Sequence, residues 1–160
     1  MTRPDIGPSE FRQLLGRFAT GVTVLTAVDA AGRPHGMTAN SLSSISLEPP
    51  LVLVAIEKVA AMHPVITAAP RFVVNILTEG QEALSRRFAR KDGDRFDGVG
   101  FTLTPEGIPL FDGTLAHIEC ERAALHDAGD HTIVVGRVTG GTAREGRPLA
   151  YFRGGYTALA

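Results

Sequence analysis

Short apolar runs separated by turn residues dominate the chain and predict a fold made mostly of β-strands. Residues 22–28 alternate branched apolar and small side chains, which is typical of a strand. Residues 51–56 are continuously apolar and favour a buried strand, and residues 72–77 predict another. A long strand over residues 115–126 is expected to pair antiparallel with residues 132–138, because Ala128 and Gly129 form a turn between them. Shorter strands are predicted at residues 101–103 and 149–152.

Brief helices interrupt this pattern in two or three places. Ser9 can cap a helix that carries four large apolar side chains on one face: Phe11, Leu14, Leu15 and Phe18. Residues 63–69 fit one or two helical turns. Residues 81–90 predict a helix with Leu84 and Phe88 on its inner side. These helices are too few for the regular strand–helix alternation of a parallel nucleotide-binding sheet.

Short strands joined by tight turns favour a closed antiparallel β-barrel. Closure is expected on physical grounds, because an open sheet of this size leaves two unpaired edges. A chain of 160 residues fits one domain, and neither a repeat nor a linker divides it. The predicted organisation is therefore a single, mostly β domain over residues 1–160.

Composition and charge exclude several kinds of partner. The net charge is -1, with 16 basic and 17 acidic residues, so no surface for nucleic acid or an anionic membrane is indicated. The longest aliphatic run is too short to cross a bilayer, and residues 1–8 lack the apolar core of a signal peptide. A cytoplasmic location is therefore expected. The one cysteine, Cys120, excludes an internal disulfide and is predicted to be a small core residue.

Several common catalytic and nucleotide-binding motifs are absent. The chain has no Gly-x-Gly-x-x-Gly turn, no P-loop, no Gly-x-Ser-x-Gly and no His-Glu-x-x-His. His126 and His131 flank a turn, where their imidazoles are expected to point in different directions, so no metal site is predicted. His117 is expected to be structural.

The segment over residues 35–47 is polar but contains no Lys, Arg, Asp or Glu. Its composition alone would fit a polar edge strand with a serine-rich loop, although a solvated strand usually carries charge. Small uncharged hydroxyl and amide groups are also what a cleft uses to hydrogen-bond the edge of a flat ligand. Four neighbouring residues are candidates for such a contact: Thr38, Ala39, Asn40 and Ser41.

Gly129, Asp130 and His131 place an imidazole beside a carboxylate at a glycine turn. A histidine in a turn is most often a surface residue, and sequence neighbours on a strand point to opposite faces. The triplet by itself therefore leaves a surface turn and an active-site position both open.

Taken in this order, the motifs resemble those of the flavin reductase family of the split-barrel class. The resemblance covers residues 11–156 and rests on segments at 18–26, 35–54, 72–77, 88–89, 95–96, 129–133, 136–138 and 148–156. It implies a closed antiparallel Greek-key split β-barrel with a few short helices, the FMN-binding split barrel. It also implies a single flavin reductase-like domain over residues 1–160.

The resemblance implies FMN or FAD as cofactor, bound by residues from three parts of the chain. These are Thr38, Ala39, Asn40, Ser41, Ser44, Ala55, Ile56, Lys58, Ala61, Arg87, Phe88 and Ala89. Lys58 is the expected phosphate partner, with Arg86 or Arg87 as a second candidate. Ala61 and Met62 stand where the family usually carries Ser and Thr. Backbone N–H groups are therefore an alternative to two missing hydroxyl donors.

NADH or NADPH is implied as the hydride donor, with NADH favoured because no arginine cluster for a 2′-phosphate stands out. His131 is the expected catalytic residue, contacting the nicotinamide or the reactive edge of the flavin. Asp130 is expected to shape the turn. The nicotinamide-binding residues implied are His131, Phe152, Gly155 and Tyr156, and no metal is implied.

The implied function is NAD(P)H-dependent reduction of flavin by hydride transfer, with release of reduced flavin to a separate monooxygenase component. A homodimer with the flavin near the subunit interface is expected. One alternative is a non-catalytic flavin-binding electron carrier of the same fold. Another is a haem-binding or purely structural barrel, in which His131 or His117 would be the candidate axial ligand.

Overall fold

The computed structural model describes residues 1–160. Its three α-helices are α1 (Pro8–Leu15), α2 (His63–Ala68) and α3 (Glu82–Ala89), and a 3₁₀ turn (Glu79–Gln81) precedes α3. The strands are β1 (Thr20–Gly21), β2 (Thr23–Val28), β3 (Pro34–Ala39), β4 (Ser43–Leu47), β5 (Pro50–Glu57), β6 (Arg71–Ile76), β7 (Phe101–Leu103), β8 (Pro109–Phe111), β9 (Ala116–Ala128), β10 (His131–Ala143), β11 (Leu149–Phe152) and β12 (Gly155–Ala158).

Seven strands form the main sheet, in the order β3-β2-β6-β9-β10-β5-β4. Every neighbouring pair in it is antiparallel. Strands β1, β11 and β12 form a three-stranded sheet, and β7 pairs with β8. The predicted mostly β class with a few short helices is therefore confirmed.

The hydrogen-bond ladder of the main sheet is open, so the predicted closed barrel is not observed. Its edge strands β3 and β4 are consecutive in the chain, and only residues 40–42 separate them. Such a connection spans at most about 14 Å, so the sheet must curl until its edges approach each other at that end. The connection is attached to β5 instead. Ser41 Oγ accepts the Ala55 N–H at 3.0 Å and donates to the Ala55 carbonyl at 3.1 Å.

Two apolar clusters form the core. The larger is built from β2, β5, β6, β9, β10 and α2 and includes the fully buried Ile56 and Phe72 and the predicted core residue Cys120. The smaller joins α3 to β2, β8 and β11 around Phe88. The Phe88 ring centroid lies 5.0 Å from those of Phe96 and Phe111.

Gly36 in β3 lets helix α3 lie directly against the sheet. A Cβ at this position would lie 2.8 Å from two ring atoms of Phe88, closer than real Cβ contacts come. Phe88 is fully buried, and the rings of Phe96 and Phe111 pack against it. Thr38 Oγ1, two residues further along β3, donates to the Ser85 carbonyl of α3 at 2.5 Å. The end of β3 and the C-terminal half of α3 are thereby held together.

Two local predictions are wrong. Ser9 does not cap α1, because Gly7 is the N-cap and makes no side-chain cap hydrogen bond. Pro8 occupies the first helical turn, where its missing N–H costs nothing. Strand β5 is buried on one face only, with every second residue half-buried or exposed. Although both faces of the strand are apolar in sequence, only one of them is packed in the core.

Helix α1 contributes nothing to the core, since none of its residues is buried. Its large side chains and Phe18, three residues beyond its end, form what we call the α1 apolar face: Phe11, Leu14, Leu15 and Phe18, which are 53%, 59%, 51% and 73% exposed. The turn between β11 and β12 touches the end of this helix, because the Arg153 N–H donates to the Gly16 carbonyl at 2.9 Å. None of the three helices has the length and apolar character needed to span a membrane.

Candidate functional site

A large cavity opens between the end of β3, the loop after β5, the C-terminal end of α3 and the β11–β12 hairpin. Its volume of about 620 Å³ falls within the range typical of cofactor sites. Seventeen residues line it: Val22, Met37, Thr38, Ala39, Asn40, Glu57, Val59, Ala60, Ala61, Met62, Phe88, Ala89, Arg90, Lys91, Arg95, Tyr151 and Tyr156.

The first wall is the end of β3, where Thr38, Ala39 and Asn40 line the cavity as the sequence predicted. Thr23 Oγ1 donates to the Ala39 carbonyl at 2.7 Å and holds this strand end in place. The Asn40 N–H makes no hydrogen bond within the chain and is available to a ligand. Ser41 is not part of the lining, because its hydroxyl is engaged by the backbone of β5.

Three other predicted cofactor residues also lie outside the cavity lining. Ser44 is exposed on the edge strand β4. Ile56 is fully buried in the core, and Ala55 is the backbone partner of Ser41 in β5. Their positions follow from the strand period, since successive side chains of β5 point to opposite faces. In the single chain, none of the three side chains reaches the cavity.

The loop after β5 forms the second wall with small side chains and free backbone donors. Ala60 and Ala61 line the cavity. The N–H groups of Val59 and Ala61 make no hydrogen bond within the chain, whereas the Lys58 N–H donates to the Asp130 carbonyl at 2.9 Å. The loop is therefore fixed at its start and offers unpaired N–H groups further on.

Lys58 does not line the cavity. Its ammonium group pairs with Asp127 in the β9–β10 hairpin, so the structure does not bring it to the predicted phosphate position. Arg87 is likewise outside the lining, because its guanidinium donates to the Asp97 carbonyl at 2.6 Å. Arg86 instead pairs with Glu82 one helical turn away.

The cations that do line the cavity follow the end of α3. Arg90 and Lys91 form no ion pair. Arg95 donates to the Arg90 carbonyl at 2.9 Å and to the Phe88 carbonyl at 3.4 Å, so it caps the helix end. Cations are favourable there because the last carbonyls of a helix carry partial negative charge. Phe88 and Ala89, both predicted, complete this wall.

Two tyrosines of the C-terminal hairpin form the fourth wall. The rings of Tyr151 and Tyr156 meet edge to face at 5.4 Å. Tyr156 OH is 2.7 Å from Ser85 Oγ, and the Arg86 guanidinium lies 4.8 Å from the centre of the Tyr156 ring. Of the predicted nicotinamide residues, Tyr156 therefore lines the cavity, whereas Phe152 and Gly155 lie beyond it in the turn of the hairpin.

His131 lies outside the cavity lining, at the first position of β10. Its Nδ1 is 2.7 Å from an Asp130 carboxylate oxygen, and this hydrogen bond lowers the pKa of that carboxyl. His131 stands directly opposite Glu57 in the β5–β10 ladder, and Glu57 lines the cavity. Directly opposed residues share a face of the sheet, so His131 and Glu57 lie side by side at the cavity's edge.

Sequence reasoning did not select Glu57, Arg90, Lys91, Arg95 or Tyr151. For Arg90 and Lys91 a signal existed, since basic residues crowd positions 86–91 after the predicted helix. The same pattern fits a solvated helix face, and only the packing of α3 on β3 turns the end of this run toward the cavity. Nothing in the sequence pattern marked Tyr151 as a cavity residue, since it is one position of a short predicted strand.

Fold and site together define a single-chain antiparallel β protein with one large cavity walled by small, aromatic and basic side chains. Comparison with known proteins gives the family. The profile of the flavin reductase like domain matches residues 15–160. The chain belongs to the flavin reductase-like family.

Individual relatives are similar over most of their length. "FMN reductase (NADH) SmoA" of Agrobacterium fabrum is 48% identical over 146 residues, which is 91% of this chain and 83% of that protein. "Flavin-dependent monooxygenase, reductase subunit HsaB" of Rhodococcus jostii is 43% identical over 155 residues, 96% of this chain and 79% of the relative. Two longer relatives from Rhizobium meliloti are matched over 50% and 66% of their length.

A solved structure shows the same fold. The Streptomyces globisporus C-1027 NADH:FAD oxidoreductase SgcE6, in complex with NAD and FAD fragments, superposes with a TM-score of 0.89. It is 41% identical, and the match covers 99% of this chain and 98% of that one.

Proposed function

We propose that this chain is an NAD(P)H:flavin oxidoreductase, which reduces FMN or FAD by hydride transfer and releases the product to a separate monooxygenase component. The observation that carries the proposal is the cavity of about 620 Å³, in which small uncharged side chains adjoin three cations without carboxylate partners, Arg90, Lys91 and Arg95. Family membership supports it, as do relatives named for NADH-dependent FMN or FAD reduction.

The residues present fit a planar flavin ring. Ala39, Ala60 and Ala61 project no more than a methyl group into the cavity and leave width for a ring. Tyr151 and Tyr156 supply aromatic surface. The free Asn40 N–H can donate to the polar edge of the ring, where negative charge develops on reduction. Hydride transfer itself is the chemistry of the two cofactors, so the chain's part is to bind, orient and stabilise.

We place the flavin phosphate at Arg90 and Lys91 rather than at Lys58. Both side chains line the cavity without a competing carboxylate, whereas Lys58 is paired with Asp127. The free N–H groups of Val59 and Ala61 add backbone donors of the kind that hold anions. They take the place of the hydroxyl donors that the resemblance led us to expect in this loop.

His131 is retained as the residue that contacts the nicotinamide. The supporting observation is its position beside Glu57 at the cavity's edge, with its ring held by Asp130 at 2.7 Å. A bound nicotinamide stacked outside the flavin would extend toward this edge. Substitution of His131 by Ala is expected to raise the KM for the nicotinamide or to slow hydride transfer.

The finer fold assignment is a Greek-key split barrel formed by one domain over residues 1–160. The support is the short connection between β3 and β4, which brings the two open edges of the seven-stranded sheet together. On this proposal the split of the barrel is the gap between β3 and β4, where the two edge strands are not hydrogen-bonded to each other. The cavity lies beside it, since Asn40 belongs to both the connection and the lining.

A homodimer is proposed, with the flavin near the subunit interface. The α1 apolar face is a contiguous exposed apolar surface, and such surfaces commonly mark association sites. Its helix ends against the hairpin that carries Tyr151 and Tyr156, so a subunit packed there would lie near the cavity. Sedimentation should show a dimer for the wild type and a monomer for a Leu14→Asp, Phe18→Asp double variant. A wild-type monomer of full activity would contradict this part of the proposal.

The monooxygenase partner is proposed because a relative is named as the reductase subunit of a flavin-dependent monooxygenase. Ala39, Ala60 and Ala61 place no charged side chain against the ring, which suits a flavin that leaves after reduction. We propose a cytoplasmic location, because the reaction draws on the cell's reduced nicotinamide pool.

Anaerobic stopped-flow absorbance with FMN, FAD and riboflavin, each with NADH and NADPH, tests the function. Nicotinamide oxidation should depend on added flavin and on the protein. Tightly held flavin without turnover would instead identify an electron carrier. A Soret band, or no chromophore binding at all, would refute both.

A further inference from the structure

Ser85 in α3 is hydrogen-bonded to two walls of the cavity but does not line it. Its carbonyl accepts the Thr38 hydroxyl at 2.5 Å, and its own hydroxyl lies 2.7 Å from the Tyr156 hydroxyl. Thr38 and Tyr156 both line the cavity. Ser85 itself is fully buried. It is the one residue whose side chain and backbone together join strand β3 to strand β12 through the helix.

Tyr156 needs such a partner because its own strand holds it weakly. Strand β12 pairs only with β11, at the edge of a three-stranded sheet. The Tyr156 ring packs against the smaller core cluster, meets Tyr151 edge to face and has the Arg86 guanidinium over its face. The Arg86 side chain is exposed and also forms an ion pair with Glu82. None of these contacts fixes where the hydroxyl end of the side chain lies, whereas the hydrogen bond to Ser85 does.

We infer that Ser85 is a positioning residue that orients Tyr156 for ligand binding, an inference that rests on the proposed flavin reductase function. Losing the Ser85 hydroxyl would leave the partly buried Tyr156 hydroxyl without its partner, and the side chain would swing toward the cavity to recover a hydrogen bond. The expected consequence is weaker binding of flavin and nicotinamide, with little change in kcat. Ser85 acts only through Tyr156.

The composition of the chain gives this cavity its own optical signal. The sequence contains two tyrosines and no tryptophan, and both tyrosines line the cavity. Tyrosine fluorescence and the tyrosine band of the near-ultraviolet circular dichroism therefore report on the cavity wall alone. Bound flavin should quench this fluorescence, which gives a dissociation constant without a label.

The test compares Ser85→Ala, Tyr156→Phe and the double variant with the wild type. Each single variant deletes the same hydrogen bond from a different side, so each should raise the flavin dissociation constant by roughly fivefold. The double variant should be no weaker than either single variant, because the bond is lost only once. The KM for NADH should rise similarly while kcat changes little. Ser9→Ala, in the exposed helix α1, is the matched serine control.

Three outcomes would overturn the inference. Ser85→Ala could bind flavin as tightly as the wild type and differ only in thermal stability, which would make Ser85 a packing residue. The two single effects could multiply in the double variant, which would make them independent. The near-ultraviolet tyrosine band could be identical in Ser85→Ala and the wild type. This last comparison needs no ligand, so it decides on Ser85 even if wild-type protein fails to reduce flavin and the proposed function falls.

Discussion

Replacing Gly36 by alanine tests whether close packing of α3 on β3 shapes the cavity. The new Cβ would lie 2.8 Å from two Phe88 ring atoms, and Phe96 and Phe111 hold that ring from other sides at 5.0 Å. Overpacking of a core costs about 1–3 kcal/mol. Because the ring can yield only toward the cavity that it borders, the cost should lie toward the upper value. Lower unfolded-state entropy returns about 0.4–1 kcal/mol. The net loss of stability should be about 2 kcal/mol.

Urea unfolding and thermal melting measure this loss. For a chain of this size the melting temperature should fall by about 4–8 °C, and flavin binding should weaken because Phe88 and Ala89 move with the helix. Gly21→Ala is the matched control, since Gly21 lies in strand β1 with nothing within 4 Å of an added Cβ. If Gly36→Ala were as stable as Gly21→Ala, the reasoning about the confined ring would be refuted.

Four further predictions follow from single side chains. Lys91→Gln should weaken FMN binding about tenfold and leave riboflavin binding unchanged, because riboflavin has no phosphate. Lys58→Gln should leave the binding of both flavins unchanged. If Lys58→Gln weakened FMN binding and Lys91→Gln did not, Lys58 would be the phosphate partner. Thr20→Val should raise the melting temperature, since Thr20 Oγ1 is the one buried side-chain oxygen without a hydrogen bond; a lower temperature would reveal an unseen partner. Burial raises the pKa of Cys120 to about 12, so a thiol reagent at neutral pH should label the protein only after unfolding. Hydrogen bonds from His35 and then Arg33 hold the pKa of Asp29 well below its usual range, so Asp29→Asn should destabilise at neutral pH. The difference in stability between the wild type and Asp29→Asn should shrink as the pH falls below about 4, where the unfolded-state carboxyl becomes protonated. If urea unfolding gave a difference independent of pH, the lowered pKa of Asp29 would not be its cause.

The strands could be predicted where side-chain alternation was strong and the runs were long. Strand β2 and the β9–β10 pair are at their expected places. Strands β8 and β12 were missed, because three or four residues of mixed Pro, Gly and Thr composition carry no period to detect. The open edge between β3 and β4 could not be predicted from the sequence either. It depends on the hydrogen bond between Ser41 and Ala55 in β5, which lies fourteen positions away in the chain.

For the site, the missing charge in residues 35–47 led to the end of β3, whereas the candidates in α3 and in the loop after β5 came from the family resemblance. Thr38, Ala39, Asn40 and Ala61 do line one cavity, and their contact with flavin stays a prediction. Which basic residue faces that cavity could not be predicted. The orientation of Lys91 depends on where α3 ends, and that of Lys58 on Asp127 in a hairpin formed much later in the chain.

The α1 helix has a consequence for how the chain behaves in dilute solution. An eight-residue helix is marginal in water unless a tertiary surface stabilises it, and the rest of this chain buries none of its side chains. Its amide protons should therefore exchange with solvent almost as fast as those of an unstructured peptide, while the sheet stays protected. Order at the amino-terminal end would then be set by whatever second surface covers Phe11 and Phe18, and would rise with protein concentration.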